Sequence, residues 1–227
     1  MEIMEDLEIK PRPVIREVVY EYLRNKILTG TIRSGERLSE GKLAQSINTS
    51  RTPVREALHK LEMESLIKSN PRSGYTVVNI TSAEVQEICE IRAVLETLAA
   101  EWASARISAE ELTRLKEIVE ETNKKIQEKD AHAVVTLDTE FHDLICRASR
   151  SRRIEEISQT LRDHMLRFRM QALHLPDVAR RSNEGHSRIV EAIEAKDNEQ
   201  ISEAVRFHLE RTKKDVTRVI KEKPPII

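Results

Sequence analysis

The chain has 227 residues, of which 34% are charged and 3% aromatic, and its formal net charge is −1 at pH 7. Glycines number only five, and helix-forming residues dominate, which predicts a mostly α protein of one large or two modest domains. The two cysteines lack metal-ligand spacing and no apolar run is long enough to cross a bilayer. We therefore exclude membrane proteins and disulfide scaffolds, and expect a cytoplasmic protein with buried free thiols.

Two helices are predicted before residue 48. The first occupies the stretch PRPVIREVVYEYLRNKILTG, between a proline near its start and a glycine past its end. Its expected inward face consists of Val14, Val18, Tyr22 and Ile27. The stretch RLSEGKLAQSI then predicts a short second helix with Ser39 as its N-cap and Lys42 in its first turn.

A third helix is predicted from Arg51 to about Glu64, after the tight turn NTS. Either Ser50 or Thr52 is expected to cap it, since both side chains can accept a bond from a free backbone N–H. Its inward residues are expected to be Val54, Leu58, Leu61 and Leu66.

A small hairpin follows this third helix. The β-prone segments LIKS and YTVV flank the turn sequence NPRSG. Two helices joined by a turn and followed by a hairpin form a winged helix-turn-helix, which we assign to residues 1–79. Residues 42–72 carry six Lys and Arg against three Asp and Glu, a local positive charge suited to DNA in a nearly neutral chain.

In a helix-turn-helix the second helix of the pair enters the major groove with its N-terminal residues at the base edges. Arg51 and Arg55 lie one turn apart there, and arginine suits guanine bidentately. Hydroxyl groups in the same turn can bind phosphate, and the wing can approach the backbone or minor groove. Solvated arginines on an ordinary small domain are the alternative interpretation. The DNA-contacting residues predicted from this motif are Ser50, Arg51, Thr52, Arg55, Arg72 and Gly74.

Beyond Ile80 the pattern is purely helical. Thr81 with Glu84, and Ser108 with Glu111, fit the capping box that marks a helix start. Short loops make neighbouring helices antiparallel, so residues 80–227 are predicted to form an all-helical bundle. The predicted helices cover residues 82–106, 109–129, 131–148, 152–173, 183–195 and 198–221.

Polar residues on otherwise apolar helical stripes are the main signal in the second half, because buried charge is costly unless paired or bound to metal. Asp138 and His142 form an i, i+4 pair. His186 lies 11 residues before Asp197 and His208 lies 11 after it. If Asp197 marks the turn of a helical hairpin, both imidazoles reach the same height, about 16 Å from the turn. One carboxylate and three imidazoles would then converge.

Oxygen and nitrogen ligands without thiolate suit Zn, Ni, Mn or Fe, and four protein ligands leave an octahedral ion two open positions. Taken singly, each histidine is more often a satisfied core residue. Arg92 shares its stripe with Glu96 and has two interpretations: a structural partner of that carboxylate, or a fork for the carboxylate of an effector.

Two stretches of the chain resemble known families. The sequence LSEGKLAQSINTSRTPVREALHKLEMESLIKSNPRSGYTVV resembles the GntR-type winged-helix signature, whose core SRTPVREAL is matched without change at residues 50–58. The sequence IRAVLETLAAEWA at 91–103, followed by LDTEFHDLI and HSRIVEAIEAKD, resembles the all-helical FCD effector domain of the FadR-like branch. Many relatives carry arginine at the position of Gly41, so that DNA contact is absent here or passes to Lys42.

The resemblance implies a homodimeric bacterial transcription regulator and not an enzyme. Such proteins bind a short palindromic operator in double-stranded DNA and are usually released by a small carboxylate. It also implies one divalent metal per chain, Zn or Ni with Mn or Fe as alternatives, held by Asp138, His142, His186 and His208, with Arg92 clamping the carboxylate.

Two other functions are compatible with these residues. A metal sensor would use the ion itself as the signal. A metallohydrolase would use the ion to activate water, but no HExxH motif or second metal cluster is visible and the first 80 residues would be unexplained.

Overall fold

The computed structural model describes residues 15–71, 74–79 and 81–222. The chain divides after Val78 into two compact units. The helices are α1 (Ile15–Leu28), α2 (Glu40–Ser46), α3 (Arg51–Met63), α4 (Ser82–Arg106), α5 (Ala109–Gln127), α6 (Ala131–Ala148), α7 (Arg152–Leu173), α8 (Pro176–Ala195) and α9 (Asn198–Glu222), and the strands are β1 (Arg37–Leu38), β2 (Ile67–Asn70) and β3 (Gly74–Val77).

The N-terminal unit is a helix-turn-helix with α1 packed against α3. The inward face of α3 is the predicted one, and Val54, Leu58, Leu61 and Leu66 are all buried. The predicted inward face of α1 was right for Ile27, which is buried, but wrong for Val18 and Tyr22, which are about half exposed. Val14 lies outside the described residues.

The buried residues of α1 are Val19, Tyr20, Leu23, Ile27 and Leu28. Val19 and Leu23 each lie one residue after the predicted Val18 and Tyr22, whereas Ile27 is as predicted. Val18 and Val19 are neighbours of the same kind, so a spacing of four fits either stripe. Packing against α3 decides between them.

The predicted hairpin is present, since β2 and β3 pair antiparallel from Ile67–Val77 to Asn70–Gly74. A third strand, β1, was not predicted and pairs with β3, giving the order β1-β3-β2. A strand of two residues is too short to show an alternating pattern.

The described residues of the C-terminal unit form six helices, and both predicted capping boxes are present. At each, the hydroxyl of Thr81 or Ser108 accepts a bond from the backbone N–H three residues on, and that residue's carboxylate accepts one in return. The predicted start of α8 at residue 183 was wrong. The helix begins at Pro176, because proline is well suited to a first helical position, where its missing N–H has no helical partner.

Small residues of α4 bring the helices of this unit close together. Ala99, Ala100 and Ala103 are fully buried and belong to the main core with Phe141 and Ile193. The helix α4 contacts α6 and α9, and α8 contacts α9 along the hairpin that they form. Cys89 and Cys146 are buried free thiols, as predicted. None of the described helices is long and apolar enough to cross a membrane.

Candidate DNA-binding surface and candidate metal centre

The start of α3 presents a row of exposed polar side chains. Ser50, Arg51, Thr52 and Arg55 are all exposed, as is Lys42 on α2. Ser50 takes the N-cap position of α3 and Ser39 that of α2, but neither side chain makes a capping bond within the described structure. The Ser50 hydroxyl is therefore not used by the helix that it precedes.

The helix α2 orients both arginines of this surface. Arg55 donates to Glu40 from two nitrogens, with Nε 3.0 Å from Oε1 and Nη2 3.0 Å from Oε2. These bonds hold the pKa of Glu40 below its usual value. The guanidinium of Arg51 lies over Gly41, with Nη2 3.5 Å from the position that a Cβ would take. Sequence reasoning missed Glu40, because an acidic residue is not expected to take part in a DNA-binding surface.

Of the two wing residues predicted to contact DNA, the structure describes Gly74. Arg72 lies outside the described residues. Gly74 has a left-handed backbone with φ +82°, and a Cβ there would lie 2.6 Å from the carbonyl oxygen of Leu38. Glycine is therefore required at this position by the junction of β3 with β1, independently of any DNA contact.

Three buried histidines lie together in the helical unit, one each from α6, α8 and α9. The ring centroids of His142, His186 and His208 are 4.7 to 5.3 Å apart. One nitrogen from each ring lies within 4.8 Å of those of the other two. His186 and His208 meet across the α8–α9 hairpin, which is the placement expected from their equal distances to Asp197. We call these three residues the histidine cluster.

Asp138 lies beside the histidine cluster and forms a buried ion pair with Arg169 of α7 through Oδ2. Its other oxygen, Oδ1, is 3.6 Å from Nε2 of His186. Arg169 was not identified from the sequence, although it interrupts a stripe that includes Met165, Phe168 and Ala172. A single arginine in an arginine-rich helix gave too weak a signal.

Glu96 connects Arg92 to the histidine cluster. Nε of Arg92 donates to Oε1 of Glu96 at 2.8 Å, and Oε2 lies 3.3 Å from Nδ1 of His142. Burial opposes the ionisation of Glu96, but the positive charge of Arg92 and the adjacent His142 hold its pKa well below the usual range. The structural partnership of Arg92 is thus present, while its buried Nη2 has no hydrogen-bond partner among the described residues.

The donor atoms of this site fit a divalent metal. Within the described part of the chain, four imidazole nitrogens and Oδ1 of Asp138 are buried without a hydrogen-bond partner. Burial is also the main reason why the pKa of each histidine in the cluster is lowered. Neutral imidazoles with free lone pairs, together with one carboxylate oxygen, are the ligands that Zn and similar ions bind.

Gly185 is a further residue of the site that sequence reasoning missed. Gly185 lies inside α8, against the imidazole of His208. A Cβ on residue 185 would lie 2.7 Å from Nδ1 of that histidine. The glycine next to a predicted ligand was a usable signal, because a helix-interior glycine costs stability unless a neighbour needs the space.

Both units match known families, and relatives match nearly the whole chain. Residues 15–77 match the family described as bacterial regulatory proteins, gntR family, and residues 87–211 match the FCD domain. An HTH-type transcriptional regulator of Bacillus subtilis, YdhC, is 32% identical over 96% of this chain and 98% of its own. The gluconate operon transcriptional repressor of the same organism is 34% identical, covering 79% of this chain and 75% of its own.

Solved structures agree on the fold. McbR/YncC of E. coli superimposes with a TM-score of 0.76 at 22% identity, covering 91% of this chain and 99% of its own. The matched families are transcription regulators and not enzymes. The chain therefore belongs to the GntR family of bacterial regulatory proteins, carries an FCD domain as its second unit, and is a DNA-binding transcription regulator.

Proposed function

We propose that the protein is a cytoplasmic, homodimeric repressor that binds a palindromic operator and is controlled by a small carboxylate at a divalent metal in the helical unit. The observation that carries the proposal is the set of buried imidazole nitrogens without hydrogen-bond partners in the described helical unit. Unpaired polar atoms in a core are costly, and a shared ion would satisfy them together.

The DNA-binding part of the proposal rests on α3. Arg51 and Arg55 leave the apolar face of this helix and project from its first two turns, where a recognition helix contacts bases. Two such helices related by a two-fold axis would read two halves of a palindrome. Lys42, Ser50, Thr52 and Arg72 would bind phosphates around them. Repression is the activity that the name of the gluconate operon relative states.

The metal would be held by His142, His186, His208 and Oδ1 of Asp138. When bound, it supplies open coordination positions for a carboxylate oxygen. Arg92 would bind the same acid, and two contacts support this role: Glu96 accepts from its Nε, and its Nη2 has no hydrogen-bond partner among the described residues. The gluconate operon relative acts on genes named for a small carboxylate, which agrees with an acid as the signal.

Binding at this site would reach the DNA-binding unit through helix movement. The four proposed ligands come from α6, α8 and α9, so ligand binding favours one arrangement of these helices over another. An effector acts only through different affinities for two such states. The change would alter the spacing of the two recognition helices in the dimer.

The test removes the ligands one at a time. His186→Ala and His208→Ala should each lose the metal, measured by elemental analysis after purification without chelator. A small carboxylate should also no longer release either variant from the operator. His132→Ala on the exposed side of α6 is the matched control and should keep both. The proposal would be contradicted if the wild-type protein contained no metal and the carboxylate still released both variants from the operator. Operator affinity that follows metal without any acid would favour the metal sensor instead.

A further inference from the structure

We infer that the signal is a dianionic acid, such as a dicarboxylate. Arg169, in addition to Arg92, supplies the positive charge that selects this acid. This inference rests on the proposed metal site and deepens it. It follows from the charges buried around the histidine cluster, which balance one another in the protein alone.

Three buried arginines of the described helical unit are each paired with one carboxylate. Arg92 pairs with Glu96 and Arg169 with Asp138, both in the core. Arg162 pairs with Asp143, whose side chain is about one third exposed. If the histidines are neutral, the net charge of these three ion pairs is zero. A divalent ion held by the cluster raises the buried charge to +2.

A buried charge of +2 is costly, so it has to be neutralised by whatever completes the site. A monocarboxylate leaves one positive charge in the core, whereas a dicarboxylate removes both. The two arginines nearest to the cluster also favour this ligand. Arg169 is buried and pairs with Asp138, which lies beside His186. Arg92 is buried and pairs with Glu96, which lies beside His142. Two guanidiniums that repel each other are both stabilised by an anion between them.

The acid has to separate the helices in order to bind. A cavity of about 20 Å³ reaches His208 and is lined by Arg169, Ser182 and Thr212. A second cavity, of about 10 Å³, is lined by Glu96 and His142. Neither cavity has room for an acid of eight heavy atoms such as succinate, so the helices that line them have to move apart to admit it. Arg169 lies on α7, one of the three helices that line the first cavity.

The experiment compares two ligands of nearly equal shape and different charge. Succinate carries two negative charges at pH 7.5, and succinamate, its monoamide, carries one. Isothermal titration of full-length protein loaded with Zn²⁺ should give a dissociation constant about tenfold or more lower for succinate, the factor expected of one buried charged contact. Chelated protein should lose this preference.

Arg169→Met should bring the succinate to succinamate ratio close to one, because it removes one unit of positive charge. Arg169→Lys keeps the charge and should keep a preference for succinate. Arg114→Met, which removes an arginine of α5 that is about one third exposed and paired with Glu140, is the matched control and should bind as the wild type does.

Equal affinity of Zn²⁺-loaded wild type for the two acids would overturn the inference and leave the proposed function standing. An unchanged ratio in folded Arg169→Met would overturn the role of Arg169. If that variant does not fold, the wild-type and Arg169→Lys ratios decide. Wild-type protein that binds no Zn²⁺ would overturn the proposed function together with the inference.

Discussion

Gly185 and His208 lie in contact across the α8–α9 hairpin, and a Cβ on Gly185 would lie 2.7 Å from Nδ1 and 3.2 Å from Cβ of the histidine. Gly185→Ala should therefore move the imidazole or the helix. We expect it to lower the free energy of unfolding by about 1 to 3 kcal/mol, as overpacking does, and to weaken metal binding. Urea unfolding followed by circular dichroism, with zinc titration, measures both effects.

The matched control is Gly41→Ala, also inside a helix, where a Cβ would have an ordinary contact of 3.5 Å with Arg51. Alanine is the better helix former, so this variant should keep or gain stability, by up to about 1 kcal/mol. Equal effects of the two substitutions would show that the contact with His208 does not matter.

Arg51→Ala and Arg55→Ala should each weaken operator binding by about 1 to 3 kcal/mol, the value of one bidentate base contact. Fluorescence anisotropy at fixed salt measures the loss, and far-ultraviolet circular dichroism checks that the fold persists. Lys60→Ala in the same helix is the control, because Lys60 contacts Glu17 and lies over the ring of Tyr20 of α1. Unchanged affinity in both arginine variants would remove the base-reading role from α3.

We expect a homodimer that forms largely through the helical unit, because a palindrome needs two recognition helices related by two-fold symmetry. The helix α4 exposes Ile91, Val94 and Trp102, with Val94 68% accessible. Val94→Glu should shift the protein towards the monomer in light scattering, while Met63→Glu, which changes an exposed apolar residue of the other unit, should not. A wild-type monomer at micromolar concentration that binds the palindrome fully would rule out this assembly.

Removing one member of the Arg92–Glu96 pair should cost far more than removing both. Arg92→Met leaves the buried carboxylate of Glu96 without its arginine, and we expect a loss of about 3 to 5 kcal/mol. Adding Glu96→Gln should restore much of this stability. A double-mutant cycle by urea unfolding gives the coupling energy; a value near zero would mean that the two side chains act independently. The pair of Arg114 and Glu140, whose side chains are each about one third exposed, is the reference and should contribute less than about 1 kcal/mol.

The contribution of Glu111 to stability should depend on pH. Bonds from Arg150, and then from the Ser108 backbone, hold the pKa of Glu111 below its usual 4.5. A lowered pKa in the folded state means that the stabilisation is complete above the unfolded pKa and is lost as pH falls through the folded one. Glu111→Gln should therefore be less stable than wild type at pH 7, and the difference should shrink below about pH 4.5. Glu110→Gln, the same substitution at an exposed residue of the same turn, is the control and should cost less stability at pH 7 than Glu111→Gln does.

Local signals were sufficient for much of the fold. Capping boxes at Thr81 and Ser108 fixed the starts of α4 and α5, because they depend only on residues three apart. Signals that depend on packing were not sufficient. The sequence offers two equivalent stripes on α1, and only contact with α3 buries Val19 in place of Val18. The strand β1 exists because β3 offers it a partner, and its two residues show no pattern alone.

The same distinction applies to the metal centre. Equal spacing from Asp197 was enough to place His186 against His208. In a helical hairpin, residues at equal sequence distance from the turn lie at equal distance from it along the helix axes. The partners of the polar residues come from other helices and were not predictable in this way. Arg169 of α7 reaches Asp138 of α6, and Glu96 of α4 reaches His142, through contacts that only the assembled bundle specifies.

The hairpin of α8 and α9 also limits how this part of the gene can vary. Its turn is short, with Lys196 in a left-handed conformation and Asp197 accepting bonds from the backbone of Glu199 and Gln200. One inserted residue between this turn and His208 would shift that side chain by about 1.5 Å along the helix and rotate it by about 100°. Insertions and deletions should therefore be tolerated at exposed turns such as the one around Lys129, and be eliminated by selection between His186 and His208.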